Sequence, residues 1–399
     1  MITYIMSQKN QRQNSVVIGL EFFLNDPKRH HRRYGLATNP AAITAGGIPS
    51  WKAFIEHGLG PACFFGPEHG FRGAAQDAVQ LDDENFKGIP AYSLYGKRLK
   101  PEPWMLEPLD AVIFDMQDVG CRYYTYLYTL AYIMEACEKV GTPVIVLDRP
   151  NPIGGIKVEG SPILKEFESF VGGYGLPPRY GMTIGEFAVY LKGEYYPACN
   201  LEVVPLSGWD ARQPWAETNL PWPLPSPNLP TLACAELYPG TCLAEGTWLS
   251  EGRGTARPFE IIGAPFIDGE ALREHLSVLD LPGVVFISIF FTPTASKHQG
   301  ELCEGILVSP VDRQALRSLD TGIAIIHTIH RMYPREFAWR EDWDNPAFSF
   351  FDKLAGGTEL RLMIDRGASL DECLALAHRG EEAFLARREK YLLYGMAGQ

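Results

Sequence analysis

Polar residues that could carry out acid–base chemistry directly follow four short apolar runs in the first half of the chain. Short apolar runs that are bounded by turn-forming residues and separated by helical segments predict the strands of a parallel sheet. Ligands of such sheets bind in the crevice beyond the carboxyl ends of the strands. The runs and the residues after them are Gly35–Thr38 before Asn39, Ala62–Phe65 before Glu68 and His69, Ala111–Phe114 before Asp115, Asp118 and Arg122, and Val144–Leu147 before Asp148 and Arg149. The sequence therefore predicts that these side chains crowd around one site.

Glu68 is the first candidate for a general acid. It lies in the turn Gly66-Pro67-Glu68-His69-Gly70, where Phe64, Phe65 and Phe71 could shield it from water. Shielding favours the protonated form of a carboxyl group, and a general acid needs that form. The structural alternative is a glutamate that only accepts hydrogen bonds from the main chain of its own turn. His69 could orient Glu68, contact a substrate or bind a metal ion, or it could close the loop structurally.

Asp115 and Asp118 lie three residues apart at the end of one predicted strand. Either of them, or Glu159 or Glu245 further along the chain, could be the partner of Glu68, because glycoside cleavage commonly uses two carboxyl groups, one to protonate the leaving oxygen and one to act on the sugar or on a water. The alternative is that one of the two aspartates caps the following helix. Gln117, between them, could bind a sugar hydroxyl or an amide.

Four arginines offer planar donors for an anionic group of a ligand, namely Arg72, Arg122, Arg149 and Arg253. Arginine binds a carboxylate or a phosphate through paired N–H groups. At least one of the four is expected to form an internal salt bridge instead. Tyr124 lies near the start of a helix and is the tyrosine best placed to contact a ligand.

The clearest structural unit spans residues 111–148, where a strand, a helix near 122–139 and a second strand form a βαβ unit. Gly141 is expected to end that helix. A further strand is predicted at Val16–Phe23, and a final helix is predicted to begin at the cap Ser369 and run towards residue 392. The proline-rich segment 220–230 is interpreted as the crossing between two domains. The predicted division is a frayed terminus at 1–15, a parallel-sheet α/β domain at 16–230 and a smaller α/β domain at 231–399.

Composition narrows the possible partners of the chain. The 399 residues carry a net charge of −12, which argues against nucleic acid or an anionic membrane as a partner.

The eight cysteines form no C-x-x-C pair, and the N-terminus lacks the apolar core of a secretory signal, so a cytoplasmic location is expected. No apolar run is long enough to span a membrane. Neither G-x-G-x-x-G nor a phosphate-binding loop is present, so no cofactor is expected.

Several segments together resemble the NamZ/YbbC-type exo-β-N-acetylmuramidases, which are glycoside hydrolase family 171 and were formerly a domain of unknown function. The resemblance runs from about Val16 to Tyr394. It is carried by Phe65–Gly73, Phe114–Gly120, Leu147–Pro152, Ser226–Thr231, Tyr238–Thr241, Glu245–Thr247 and Ser250–Thr255.

The resemblance implies a Rossmann-like domain without a dinucleotide, a smaller C-terminal domain and an active site in the cleft between them. It also implies hydrolytic removal of a non-reducing-end N-acetylmuramic acid from peptidoglycan fragments, with Glu68 as the family glutamate. The lactyl carboxylate of that sugar would account for the arginines. The expected substrate contacts are Asn39, Arg72, Gln117, Arg122, Tyr124, Asp148, Arg149, Asn151, Glu245, Glu251 and Arg253. The chain departs from the family pattern at Cys121, often alanine, and at Trp248, often asparagine, and it lacks the export signal that many members carry.

Two other functions use the same residues. The first is a muropeptide sensor that binds without turnover, which release of product from a muramyl disaccharide would exclude. The second is a metal-dependent hydrolase that uses His69, Asp115 and Asp118 as ligands.

We expect hydrolysis of a muramyl glycoside to be unchanged after exhaustive treatment with a chelator, because the general-acid mechanism needs no metal ion. The measurement is the rate of sugar release before and after dialysis against EDTA. A rate that falls with chelation and returns with a divalent metal would favour the metal-dependent alternative.

Overall fold

A seven-stranded sheet forms the centre of the N-terminal half of the protein. The computed structural model describes residues 16–68, 70–73, 82–342 and 345–395. The strands are β1 Tyr34–Thr38, β2 Cys63–Gly66, β3 Glu84–Phe86, β4 Ile89–Ser93, β5 Ala111–Asp115, β6 Val144–Leu147 and β7 Leu201–Val204. Their spatial order is β3-β4-β2-β1-β5-β6-β7. All neighbours are parallel except β3 and β4, so the predicted α/β class with a parallel sheet is confirmed.

The helices of this half cover both faces of the sheet. They are α1 Gly19–Leu24, α2 Ser50–Glu56, α3 Pro103–Leu106, α4 Tyr126–Val140 and α5 Ile184–Glu194. Every residue of β1 and β5 is buried, as expected for strands with helices on each side. Leu36 and Ile113 pack in one apolar cluster with Phe54 of α2, whereas Val112 and Phe114 pack in another with α4.

The strand order reverses between β1 and β5. From β1 the chain passes through α2 to β2 on one side, and β5 then lies against the other side of β1. Because α2 and α4 lie on opposite faces, a crevice opens between the loops that follow these two strands. Thr38 pairs in register with Asp115, so Asn39 and the segment after Asp115 begin beside each other at this crevice.

The C-terminal half contains a three-stranded antiparallel sheet with helices packed on it. Its strands are β8 Ile261–Ala264, β9 Val284–Phe291 and β10 Cys303–Pro310, in the order β8-β10-β9. Its helices are α6 Leu232–Thr241, α7 Gly269–Ser277, α8 Ser318–Met332, α9 Phe350–Ala355, α10 Glu359–Asp365, α11 Leu370–Ala377 and α12 Glu381–Glu389. Short 3₁₀ helices lie at Pro27–Arg29, Lys165–Phe167, Trp215–Glu217 and Cys242–Gly246. The proline-rich residues 220–230, which precede α6, form neither a helix nor a strand.

Buried arginines connect the two halves through main-chain carbonyl groups. Arg122, which is fully buried, donates to the carbonyl oxygen of Leu176 at 2.9 Å and to that of Leu354 in α9. Arg388 in α12 donates to the carbonyl oxygens of Gly155 and Ile156 at 2.9 and 2.8 Å. These contacts hold the C-terminal helices against the loops of the sheet.

The end of the chain also returns to the sheet. The main-chain N–H groups of Leu393 and Tyr394 donate to Glu186 Oε1 at 2.8 and 3.2 Å, and the Tyr394 hydroxyl donates to Asp148 Oδ2 at 2.6 Å. Both carboxyl groups are buried, so residues 393–394 complete their hydrogen bonding.

Three sequence-based element predictions were wrong in detail. The predicted strand Val16–Phe23 overlaps α1, because a short apolar run fits a buried helix as well as a strand. The helix near 122–139 begins only at Tyr126, because residues 122–123 form a turn in which the Arg122 amide bonds to the Pro178 carbonyl. The final helix is divided into α11, which ends at Ala377, and α12, whose N-cap is Gly380 with a φ of 91°.

The predicted frayed terminus 1–15 lies outside the described residues. Within the described ranges, none of the helices has the length and apolar character that a membrane crossing requires.

We expect Arg122→Met to lower the free energy of unfolding by about 3 kcal/mol, because two buried carbonyl groups lose a charged donor. Urea denaturation followed by circular dichroism measures the change. The matched control is Arg366→Met, at an exposed position after α10, which should alter stability by less than about 0.5 kcal/mol. Equal effects of the two substitutions would contradict a connecting role for Arg122.

Candidate active site

Glu68 lies two residues beyond β2, in a tight turn whose backbone conformation depends on glycine. The Gly70 amide donates to the Pro67 carbonyl at 2.9 Å, and Gly70 has a φ of 75°. A Cβ atom on Gly66 would lie 2.7 Å from the nitrogen of Phe71, so the chain folds back at a distance that only glycine permits. The turn therefore fixes where the Glu68 carboxyl group can point.

The Glu68 side chain is 9% exposed and is held by Thr125, whose hydroxyl donates to Glu68 Oε2 at 2.8 Å. Thr125 immediately precedes α4, so the helix start after β5 holds the carboxyl group after β2. The rings of Phe64 and Phe71, on either side of Glu68 in the sequence, pack 4.4 Å apart, and their shielding of the carboxyl group stays a prediction. His69, also predicted to be catalytic, lies outside the described residues.

Two tyrosines beside Glu68 bind the proline-rich segment. The hydroxyl groups of Tyr124 and Tyr126 donate to the Pro225 carbonyl at 2.7 and 3.0 Å, and Asn39 Nδ2 donates to the Tyr126 hydroxyl at 2.6 Å. Burial raises the pKa of Tyr124 well above its ordinary value, and the negative charges of Asp118 and Glu68 add to the effect. Tyr124 is therefore a neutral hydrogen-bond donor that lies within electrostatic range of both carboxyl groups.

Asp118 is buried at the same crevice. Its Oδ2 accepts hydrogen bonds from the Gly120 amide at 2.8 Å and from the Tyr180 hydroxyl, whereas its Oδ1 has no hydrogen-bond partner among the described residues. Burial raises the pKa of Asp118 to about 6, against the opposing effect of the Tyr180 hydroxyl. This carboxyl group can hold or release a proton near neutral pH.

Asp115 and Arg149 form a buried ion pair beyond β5 and β6. The distance from Arg149 Nε to Asp115 Oδ1 is 2.6 Å, and Arg149 Nη1 donates to the Ile43 carbonyl at 2.9 Å. The other atoms of the pair, Asp115 Oδ2 and Arg149 Nη2, are buried, and neither they nor Asn39 Oδ1 have a hydrogen-bond partner in the part of the chain that the structure describes. Buried polar groups are normally satisfied, so this donor and these acceptors are suited to a ligand.

Several predicted substrate contacts have internal roles instead. Arg122 points away from the crevice to carbonyl groups, as described above. Asp148 is fully buried and accepts from Thr183 Oγ1 and the Gly185 amide, both at 2.8 Å, at the start of α5. Asn151 donates to the Met182 carbonyl at 2.8 Å. In each of these side chains, internal partners occupy the groups that the prediction assigned to a substrate.

Gln117 and Arg72 are also engaged internally. Gln117 Nε2 donates to the carbonyl groups of Asp118 and Pro150 at 2.8 and 2.9 Å, which joins the loops after β5 and β6. Arg72 lies at the surface, where it pairs with Glu84 at 2.8 Å.

The predicted residues of the C-terminal half form one charged group. Arg253 Nε lies 3.1 Å from Glu245 Oε1 and 3.1 Å from Glu251 Oε1, and Lys297 lies 2.7 Å from Glu251 Oε2. Arg253 also lines an open cavity of about 730 Å³ with Asn228 of the proline-rich segment. That segment connects this cavity to the tyrosine pair beside Glu68.

Sequence reasoning missed Thr125, Tyr180 and the Pro225 carbonyl. Thr125 falls inside the helix predicted near 122–139, so nothing in the sequence indicated that its hydroxyl precedes the helix and faces Glu68. Sequence analysis selected Tyr124 as the tyrosine best placed to contact a ligand, but the Tyr126 hydroxyl also lies at the crevice, where it joins Asn39 to Pro225. Tyr180 and Pro225 are 62 and 101 residues away from their partners, Asp118 and Tyr124, so no local pattern indicates them.

Two family models match nearly the whole chain. The model described as "Exo-beta-N-acetylmuramidase NamZ, N-terminal" matches residues 34–233, and the one described as "Exo-beta-N-acetylmuramidase NamZ, C-terminal" matches residues 236–394. The chain belongs to the NamZ exo-β-N-acetylmuramidase family. It is 44% identical over 393 residues to the peptidoglycan beta-N-acetylmuramidase NamZ of Bacillus subtilis (strain 168), with 97% of this chain and 94% of that protein covered.

Two crystal structures of DUF1343 family proteins from Bacteroides fragilis NCTC 9343 have the same fold as this NamZ family member. The first has a TM-score of 0.86 and 32% sequence identity, and the second has a TM-score of 0.73 and 29% identity. Each comparison covers 96% of this chain and 99% of the other. The resemblance to this family is thus confirmed along both halves of the chain.

We expect Asp118→Asn to make stability less dependent on pH. The folded pKa of Asp118 is about 6, above its ordinary value of 3.8, so the folded state binds more protons between these values and loses stability as the pH rises through about 6. Removing this group should shrink the fall in unfolding free energy between pH 4 and pH 7.5 by roughly 3 kcal/mol, since one pKa unit corresponds to about 1.4 kcal/mol.

Urea denaturation at the two pH values measures this change. The control is Glu107→Gln at an exposed position, which should leave the pH dependence as it is in the wild type. If the unfolding free energy of Asp118→Asn fell between the two pH values as much as that of the wild type, the raised pKa of Asp118 would be contradicted.

Proposed function

We propose that this protein is a glycoside hydrolase that removes non-reducing-end β-N-acetylmuramic acid from peptidoglycan fragments, with Glu68 as the general acid. Membership of the exo-β-N-acetylmuramidase family and 44% identity to a peptidoglycan beta-N-acetylmuramidase support the activity and the substrate class. The observation that carries the role of Glu68 is its geometry. It is a nearly buried carboxyl group on a rigid turn at the crevice, and the Thr125 hydroxyl fixes its orientation.

Asp118 is the proposed second carboxyl group. Sequence analysis left Asp115, Asp118, Glu159 and Glu245 as candidates. Glu159 is buried in an ion pair with Arg179 at 2.7 Å, Asp115 pairs with Arg149, and Glu245 pairs with Arg253. Asp118 forms no ion pair within the described ranges and has one oxygen without a partner. A carboxyl group in this state can act on a water or on the substrate when it loses its proton.

Two of the four predicted arginines remain as partners for the lactyl carboxylate of the sugar. Arg149 has a buried Nη2 without a partner beside the crevice, and Arg253 lines the large cavity next to the proline-rich segment. Arg122 and Arg72 have the internal and surface roles described above. The exposed ring of Trp248, where the family pattern often has asparagine, is available to pack on a sugar at the rim.

A small-molecule substrate and a cytoplasmic location complete the proposal. All eight cysteines are unpaired and buried, which suits a reducing compartment. The product of the reaction would be free N-acetylmuramic acid, in keeping with a role in cell-wall recycling.

We expect Glu68→Gln to lower kcat by at least about a hundredfold, because general acid catalysis contributes roughly 10²- to 10⁴-fold. The measurement is the release of product from a chromogenic N-acetylmuramic acid glycoside. The amide keeps the size of the side chain and its acceptor for Thr125, so the midpoint of unfolding should shift little.

Glu56→Gln, at an exposed position on α2, is the matched control and should hydrolyse the glycoside at the wild-type rate. Turnover by Glu68→Gln within tenfold of wild type would overturn the assignment of Glu68. A wild-type protein that binds the disaccharide and releases no product would favour the sensor alternative.

A further inference from the structure

A second cavity, of about 320 Å³, lies between the two halves of the chain and away from Glu68. The loop after β6, near Ile153 and Lys157, forms one wall, and Glu236 of α6 with the segment 313–316 forms the other. None of its lining residues belongs to the group around Glu68. Cavities of this volume at domain interfaces commonly hold small molecules.

The charge of this cavity is opposite to that of the whole protein. Its lining contains four cationic side chains and one acidic side chain, Glu236, in a chain whose net charge is −12. The four are Lys157, Arg179, Arg212 and Arg313. A concave surface with an excess of one sign of charge attracts ions of the other sign.

The three arginines of the cavity have carboxylate partners, and the lysine does not. Their pairs are Arg313 with Glu236 at 2.5 Å, Arg179 with Glu159 at 2.7 Å, and Arg212 with Asp210 at 2.8 Å. The ammonium group of Lys157 donates to the main-chain carbonyls of Gln314 and Leu316, the latter at 2.9 Å. Over the described part of the chain, Lys157 makes no salt bridge, so its positive charge is not neutralised.

Burial and neighbouring charges act on Lys157 in opposite directions. Burial lowers its pKa, the positive charges of Arg179 and Arg317 lower it further, and the negative charges of Glu159 and Asp312 oppose them. An anion in the cavity would stabilise the charged form of Lys157.

We propose that this cavity binds a small anionic molecule, a carboxylate or phosphate group on a compact polar body. Both halves of the chain supply its contacts, so the bound molecule would hold the loop after β6 against α6 and the start of α8. The site is separate from the hydrolytic site, and neither depends on the other for its chemistry.

Isothermal titration calorimetry of the full chain with inorganic phosphate and, separately, with acetate tests the proposal. We expect saturable binding of at least one of them at one site per chain, with a dissociation constant on the order of 1 mM or below. Tighter binding of phosphate identifies a phosphate ligand, and tighter binding of acetate identifies a carboxylate ligand. Lys157→Met should weaken binding of the favoured anion about tenfold or more, through loss of the unpaired charge.

A pair of surface substitutions at Gln314 tests the proposal even if Lys157→Met fails to fold. Gln314 is exposed and lines the cavity, so Gln314→Glu adds a repelling carboxylate and should weaken the favoured anion, whereas Gln314→Ala should bind it like the wild type. Muramyl glycoside hydrolysis without added anion should be the same in both Gln314 variants. Equal binding of the anion by Gln314→Glu and Gln314→Ala, or no saturable binding of either anion by the wild type, would overturn the proposal.

Discussion

The reversal of strand order between β1 and β5 is the constraint on which the rest of this structure depends. Parallel strands have their carboxyl ends at one edge of the sheet. Because the strand order reverses, the helix after β1 and the helix after β5 pack on opposite faces of the sheet. The loops after these strands are therefore left without a helix packed over them. Asn39 and Asp118 lie in those loops, and Glu68 lies in the loop after the neighbouring strand β2, so three loops contribute to the site.

The polar side chains at the crevice are positioned by partners from distant parts of the chain. Thr125 holds Glu68, Tyr180 holds Asp118, and Pro225 receives both Tyr124 and Tyr126. Each hydrogen bond is worth little on its own, but each fixes a direction in a site where small errors of geometry are costly. The proline-rich segment suits this purpose, because its backbone loses little freedom when it is held in one conformation.

The sequence predicted the sheet, the strand ends and most of the residues that meet there, because short buried strands have a recognisable apolar pattern. It could not predict the role of Arg122, whose carbonyl partner Leu354 is 232 residues away. An arginine that faces a ligand and one that faces main-chain oxygens look alike in a sequence. The internal role of Asp148 was missed for the same reason, since its partners Thr183 and Tyr394 lie 35 and 246 residues away along the chain.

The return of residues 393–394 to the sheet has a consequence for folding during synthesis. Oε1 of the buried Glu186 accepts hydrogen bonds from main-chain groups that are synthesised 207 and 208 residues after it. The sheet domain can collapse once β7 has emerged, but this oxygen then waits for about 190 further residues, roughly 10 to 40 seconds at ordinary rates of translation. During that interval Glu186 has its local hydrogen bond from the Thr183 amide to Oε2, and burial of the other oxygen in the nascent sheet domain is costly until residues 393–394 arrive.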